Sequence, residues 1–164
     1  MLECTHRGFW SSETNDPCIF CLQVNDLCSA WEWSSTDRIY HTLPLHHIHG
    51  IVNAFLCAHH AGATIEFAER FSPTALWDRI SDSSQPPITL FMGVPTMYIR
   101  LLQAFDASYD ESQQRELAAA ASKLRMWVCG SSSCPSPVFN RWQQLTGPLW
   151  NATHSMAPPL TPTP

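Results

Sequence analysis

Three histidines fall within eight residues, Leu43-Pro44-Leu45-His46-His47-Ile48-His49-Gly50, and six of the chain's eight histidines lie between His41 and His60. One chemistry open to such a cluster is metal ligation. Adjacent and i+2 histidines on a turn rarely converge on one ion without a cysteine or carboxylate beside them. A second reading has one imidazole lining a ligand pocket while another bonds the backbone, and a third makes all of them structural. His59 and His60 fall at a predicted helix end, where histidine suits the helix dipole, and are read as structural.

Three other segments carry chemistry-bearing residues. Gly130-Ser131-Ser132-Ser133 follows a predicted strand and precedes a predicted helix. Small residues there let backbone N–H groups approach an anion or carbonyl at the helix start. The segment has no lysine and only one glycine, so it is neither a phosphate loop nor a nucleophile elbow. Arg100 sits one turn into the helix that follows Phe91-Met92-Gly93-Val94-Pro95-Thr96. It is either a bidentate carboxylate grip at a strand-to-helix junction or a solvated surface arginine. Cys18-Ile19-Phe20-Cys21 would need further ligands, from Cys28 and a histidine, to hold zinc. As a redox motif it would have to follow a strand, and its surroundings do not read that way.

The elements that must position these residues alternate. A short helix is expected over 22–33. Asp37–Leu43 reads as a strand ending at Pro44. Gly50–Ala61 has helical spacing, with Gly62 as C-cap. Ala63–Ala68 is a strand. Ser72 and Pro73 cap and open a helix. Ile88–Val94 is a continuous apolar strand, the signature of a sheet covered on both faces. Helices follow over 96–104 and 112–122, the second with Gln113, Gln114 and Glu116 exposed. Leu124–Cys129 is the last strand and Pro135–Leu145 the last helix, closed by Gly147. The predicted fold is α/β, a parallel sheet flanked by helices. The expected divisions are an undetermined segment 1–21, a domain over 22–147 and a disordered Pro/Thr-rich tail over 148–164.

The bulk numbers exclude several classes. At 164 residues the chain is long enough for one domain with a real core. It is 45% hydrophobic and 14% charged, against roughly 25% charged for an ordinary soluble domain, so part of its surface is expected to be covered. A net charge of −5 with scattered Lys and Arg argues against nucleic acid as a partner. No apolar run reaches the roughly 20 residues of a membrane span. The start reads as neither signal nor transit peptide, and the seven cysteines are expected to be reduced thiols. A cytoplasmic location is expected, with mitochondrial or peroxisomal forms of a parent protein left open.

From Gln23 to Gly147 the chain resembles the adenylate-forming acyl-CoA synthetases, most closely the malonyl-CoA synthetase branch. The resemblance runs through AWEWSSTDRIYHTLPLHHIHGIVNAFLCAHHAGATIEF, FSPTALWDRI, ITLFMGVPTMYIRLL and LRMWVCGSSSCPSPVFNRWQQLTG. It implies part of that family's N-terminal domain. It also implies a two-step ligase that makes an acyl-adenylate from a small carboxylic acid and ATP, with Mg²⁺, then passes the acyl group to coenzyme A. By position it puts His47 and His49 at the acyl pocket and makes Gly93 and Val94 its wall. Arg100 takes the distal carboxylate of malonate. Gly130, Ser131 and Ser132 lie against substrate and adenine or ribose.

The family's Lys-bearing phosphate loop, of the type TSGTTGxPKG, has no counterpart in residues 1–21. Its Leu-Glu-Arg-Tyr-Gly-Met-Thr-Glu motif, with the Mg²⁺-holding Glu, is replaced by Pro148–Thr153, and its C-terminal domain with the catalytic Lys is missing. Codons for Leu-Glu-Arg-Tyr read one base late can encode Trp150-Asn151-Ala152-Thr153, which points to a frame or splice error. The expectation is a truncated fragment, inactive alone, binding none of these cofactors by itself. Two rival expectations are a non-catalytic acyl-binding module that regulates a full-length homologue, and a small zinc-binding interaction protein.

Overall fold

The structure is a computed structural model in which residues 19–147 and 149–151 are described. Four-residue strands build its centre: β1 (Arg38–His41), β2 (Thr64–Phe67), β3 (Leu90–Gly93) and β4 (Met126–Cys129). With β5 (Leu149–Asn151) they form one five-stranded sheet in the order β2-β1-β3-β4-β5. Every pairing is parallel, as the apolar run at Ile88–Val94 implies, with Ile39 opposite Leu90, Gly93 opposite Cys129 and Trp127 opposite Leu149. The fifth strand falls in the stretch read from sequence as tail; residues 152–164 of that stretch, and 1–18, lie outside the described residues.

All four residues of β3 and of β4 are buried, because helices cover both faces. On one face lie α1 (Ile19–Ala30) and the continuous helical segment α2 (residues 49–61), packing Val24, Leu27, Val52, Ala54 and Cys57 on Ile39, Leu90, Met92, Met126 and Val128. The other face carries α3 (Pro73–Ser81), α4 (Pro95–Ser108), α5 (Glu111–Ala121) and α6 (Ser136–Thr146). There Trp77, Tyr98, Leu101, Phe105, Leu117 and Trp142 pack on Phe91 and Trp127. Alternation along the strands sends each residue to its own side. Trp142 is the hub of the larger cluster, edge-on to Trp127 at 4.8 Å and to Tyr98 at 5.0 Å. Each such pair adds about 0.5–1.5 kcal/mol beyond its buried area. Tyr98 Oη donates to the Val128 carbonyl at 2.8 Å, and Trp127 Nε1 to that of Ala121 at 3.2 Å.

Local signals account for most element ends. Ser72 Oγ accepts from the Ala75 N–H, and Pro73 opens α3. Gly62 takes the left-handed conformation (φ 72°) and closes α2, its N–H meeting the Ala58 and His59 carbonyls. Asp110 and Gln113 form a reciprocal capping box at α5.

Three expectations shift. The first helix ends at Ala30 rather than at 33, because Glu32 turns to φ 50° and Trp33 N–H reaches back to the Cys28 carbonyl. Gln114 is half-buried rather than exposed, its amide donating to the Phe105 and Tyr109 carbonyls at 2.9 Å each. The α2 region is wound as a π-helix over His49–Leu56 and becomes α-helical over Cys57–Ala61. π-Helical turns are rare and concentrate at functional sites.

Candidate functional site

Most of the sequence-predicted residues gather at the carboxyl ends of β1, β3 and β4, where open α/β sheets bind ligands. A shallow depression of about 180 Å³ opens there, lined by Leu43, Pro44, His47, His49, Gly50, Val94 and Ser131. That is smaller than the roughly 300–1,000 Å³ pockets that enclose drug-sized ligands. Its lining holds no carboxylate and no Lys or Arg.

Backbone approach decides the floor. Gly130 N–H donates to the Gly93 carbonyl at 3.0 Å, tying β4's exit to β3's. A Cβ on Gly130 would stand 2.7 Å from His49 Cε1, and one on Gly93 would stand 2.9 Å from Phe91 Cε1. A Cβ on Gly50 would come within 2.2 Å of the Pro44 carbonyl oxygen, so the start of α2 can close on the Pro44 turn only with glycine. Ser131, exposed, adopts φ 68°, a left-handed conformation unfavourable for a side chain other than Asn or Asp.

The three histidines part company. His46 and His47 lie exposed with ring centroids 4.3 Å apart. His49 turns inward and is 5% exposed. Its Nδ1 lies 3.2 Å from Asn53 Nδ2, and its Nε2 is buried with no aligned hydrogen-bond partner. Burial pushes the His49 pKa below the ordinary value of 6.5; the nearby Gly93 carbonyl works the other way, and His41 adds to the lowering. The ring is neutral at pH 7 and acts as a wedge between α2 and the Gly93–Gly130 floor. His41, 2% exposed, is also pushed down by burial.

His47, His49, Val94 and Ser131 therefore line one depression, with Gly93 and Gly130 beneath it. Ser132 is exposed beside Ser131 but not part of the lining. Arg100 stands apart: it is exposed on α4, its guanidinium 5.8 Å from the Phe71 ring centroid, and among the described residues no carboxylate pairs with it. Sequence reasoning missed Asn53 and Gly50. The His49-to-Asn53 spacing of one helical turn was the available signal for the first.

Among the described residues, no group of three or more His, Cys, Asp or Glu side chains is placed to hold a metal ion. The residues of the depression do not fit Mg²⁺, which takes hard oxygen ligands. Of the zinc candidates, Cys18 lies outside the described residues, and Cys28 Sγ donates to the Cys57 carbonyl at 3.5 Å. No helix among the described residues is long and apolar enough to cross a membrane.

A parallel sheet with an apolar recess at its strand ends and a glycine-floored turn is an α/β domain of the class that binds ligands at its strand ends. The chain belongs to the AMP-binding enzyme family, whose model matches residues 5–154. It is 42% identical over 132 residues to the malonate–CoA ligase of Arabidopsis thaliana, and 42% over 132 residues to the probable CoA ligase CCL8 of Humulus lupulus. To the mitochondrial malonate–CoA ligase ACSF3 of Homo sapiens it is 39% identical over 126 residues. Each match covers 76% of this chain but 22% of the relative, so the chain spans under a quarter of the length of these relatives.

Solved structures agree. A malonyl-CoA ligase in a ternary product complex with methylmalonyl-CoA and AMP superposes with a TM-score of 0.66 at 30% identity, covering 79% of this chain and 26% of that one. Apo MatB from Rhodopseudomonas palustris gives a TM-score of 0.66 at 25% identity, over 80% and 24%. The fold is that of the N-terminal domain of these adenylate-forming enzymes, as the sequence resemblance implied.

Proposed function

We propose that this chain is the acyl-pocket portion of an acid–CoA ligase whose substrate is malonate or a related short acid. The supporting observation is the 42% identity over 132 residues to a named malonate–CoA ligase, in a chain whose apolar depression lies at the carboxyl ends of its strands. In this reading the parent enzyme joins the acid's carboxylate to the α-phosphate of ATP with loss of pyrophosphate. The thiol of coenzyme A then displaces AMP.

This chain's own residues bind and orient. His49, Gly93 and Gly130 form the back and floor, Val94 and Pro44 exclude water from the acyl chain, and His47 stands at the rim. Ser131 and Ser132 turn backbone toward the nucleotide side. Arg100 swings off Phe71 to meet the distal carboxylate, where a planar guanidinium binds in bidentate fashion.

The 164 residues by themselves form no acyl-adenylate. No lysine-bearing phosphate loop is present in them, and electrostatic stabilisation of the transferring phosphoryl group dominates such chemistry. The test is malonate-dependent ATP–pyrophosphate exchange. The purified chain is expected to give none. In a longer malonate ligase carrying these residues, Arg100→Ala is expected to raise KM for malonate at least about tenfold, the loss of one charge-assisted pair, while sparing ATP. Exchange by the chain alone, or an unchanged malonate KM, overturns the respective half of the reading.

A binding module that regulates a full-length homologue is the second reading, favoured by a recess that is formed without catalytic groups. It requires malonate or an acyl-adenylate analogue to raise the chain's melting temperature. The proposed location is the cytoplasm, with a mitochondrial parent in keeping with the human relative, whose name places it there.

A further inference from the structure

Cys28 lies near the end of α1, and Cys57 stands where the π-wound part of α2 gives way to α-helix. They are 29 positions apart in sequence, yet Cys28 Sγ donates to the Cys57 carbonyl at 3.5 Å. The two thiols are also hydrogen-bonded to each other. Cys57 belongs to the cluster that packs α1 and α2 on the sheet, and Cys28 packs against it. The pair is unequal in access: Cys28 is half-buried, whereas Cys57 is 0% exposed. A disulfide needs its sulfurs about 2 Å apart. Between sulfurs already in hydrogen-bond contact, a turn about χ1 closes the remaining gap.

We propose that Cys28 and Cys57 are a redox-active dithiol that a low-molecular-weight disulfide oxidises to a bond between α1 and α2. The Cys28 thiolate attacks the disulfide RSSR, forms a mixed disulfide and releases RS⁻. Cys57 then gives its proton to solvent, attacks the Cys28 sulfur and expels the second RS⁻. One S–S bond breaks and one forms. The two cysteines are oxidised, and RSSR is reduced to two RSH as the released thiolates take up the two protons. The bond does not depend on the function proposed above.

Electrostatics divide the roles in the same way. At Cys28 the hydrogen bond from Cys57 outweighs burial and holds the pKa below its ordinary 9.0, and the thiolate is the attacking form. At Cys57 the pKa is pushed up, first by the hydrogen bond to Cys28, then by burial and by charge on Cys28. Two of those three causes vanish once Cys28 is held in the mixed disulfide, so the second thiol is freed at the step that needs it. A second pair sets the contrast. Cys129 and Cys134 are hydrogen-bonded across residues 130–133, but they are 0% and 8% exposed and burial pushes both pKa values up. That pair has no accessible thiolate to start the exchange.

The test is a disulfide map. The 164-residue chain is incubated with oxidised glutathione near neutral pH, remaining thiols are alkylated, and the digest is read by mass spectrometry. The expected product is a peptide pair joined through Cys28 and Cys57 and separated again by reductant, with Cys129 and Cys134 still alkylatable. Cys57→Ser is expected to stop with glutathione on Cys28, and Cys28→Ser to leave Cys57 unoxidised. Absence of the joined pair, an equal yield in concentrated urea, faster joining of Cys129 to Cys134, or oxidation of Cys57 in Cys28→Ser would each overturn the proposal. The map of the unsubstituted chain decides even where a variant does not fold. Neither ATP nor malonate enters the measurement, so failure of the ligase reading and failure of this proposal are separate results.

Discussion

At the amino ends of the strands a buried carboxylate is closed on its partners; at the carboxyl ends several buried polar groups are left open. Asp37, 3% exposed just before β1, accepts from Arg125 Nε and Nη2 at 2.7 and 2.6 Å, from Thr89 Oγ1 at 2.8 Å and from Ser34 N–H at 2.8 Å. Arg125 also donates to the Trp31 carbonyl at 2.9 Å. One carboxylate thus ties the starts of β1, β3 and β4 together. At the other edge His41 Nε2, Thr42 Oγ1, His49 Nε2 and Asn53 Oδ1 are buried without partners. Trp33, Arg79 and Trp142 contribute one such atom each, from three different parts of the fold. Buried polar atoms are nearly always paired, so a cluster of open ones fits the site proposed there. The amino edge is anchorage and the carboxyl edge is where the proposed site lies.

Removing the anchor should have the largest effect. Asp37→Ala strands a guanidinium and the Thr89 hydroxyl at the base of the sheet. Breaking a buried pair costs about 3–5 kcal/mol. Arg125 is 35% exposed and can re-solvate, so the low end, about 3 kcal/mol, is expected as a lower urea midpoint with unchanged slope. A loss under about 1 kcal/mol would mean that the amino edge does not anchor the sheet.

The two edges should also separate in pH. Burial pushes His41 and His49 below 6.5 in the folded chain. As pH falls through about 6.5 the unfolded chain takes up these protons while the folded chain does not, and stability drops. For Asp37 burial acts upward, but the Arg125, Ser34 and Thr89 hydrogen bonds outweigh it and hold the carboxyl below its ordinary 3.8. Its contribution is therefore intact above about pH 4 and lost only as pH falls further, toward the folded pKa. Unfolding free energies measured from pH 7.5 to 3 should decline in two stages, and His49→Gln should flatten the upper stage while leaving the lower one. A single stage below pH 4 would show that the histidines are not buried neutral.

What the sequence revealed and what it hid follow the same division. Elements governed by neighbours along the chain were legible: the Ile88–Val94 run gave β3, Ser72-Pro73 gave the start of α3, and Gly62 gave the end of α2. The address of the proposed site was legible too, because strand-to-helix junctions are local features. Groups joined across the fold were not. The Asp37–Arg125 pair spans 88 positions, and nothing local marks either residue. Nor does HHIHG say which ring turns inward. That depends on Gly130, whose missing side chain leaves the space His49 fills. Gln114 and β5 were misread for the same reason: the carbonyls and strand they bond belong to other elements.

The smallest expected effect tests whether strain belongs to the site. Ser131 and Glu32 are the two non-glycine residues with positive φ among those described, at 68° and 50°. Glu32 follows α1, and Trp33 N–H bonds back to the Cys28 carbonyl, so its conformation is an ordinary helix cap. Ser131 has no such duty and bends the turn that borders the recess. A side chain in this region costs roughly 1–2 kcal/mol, and glycine removes that strain while adding entropy to the unfolded chain. Both Ser131→Gly and Glu32→Gly should therefore raise stability by less than about 1 kcal/mol. Only Ser131→Gly should also weaken binding in a longer ligase, because a glycine there samples turns that the recess does not use. Equal loss of binding from both would place the strain in the fold at large. Loss from Ser131→Gly alone would tie it to the carboxyl edge, where the open polar groups already lie.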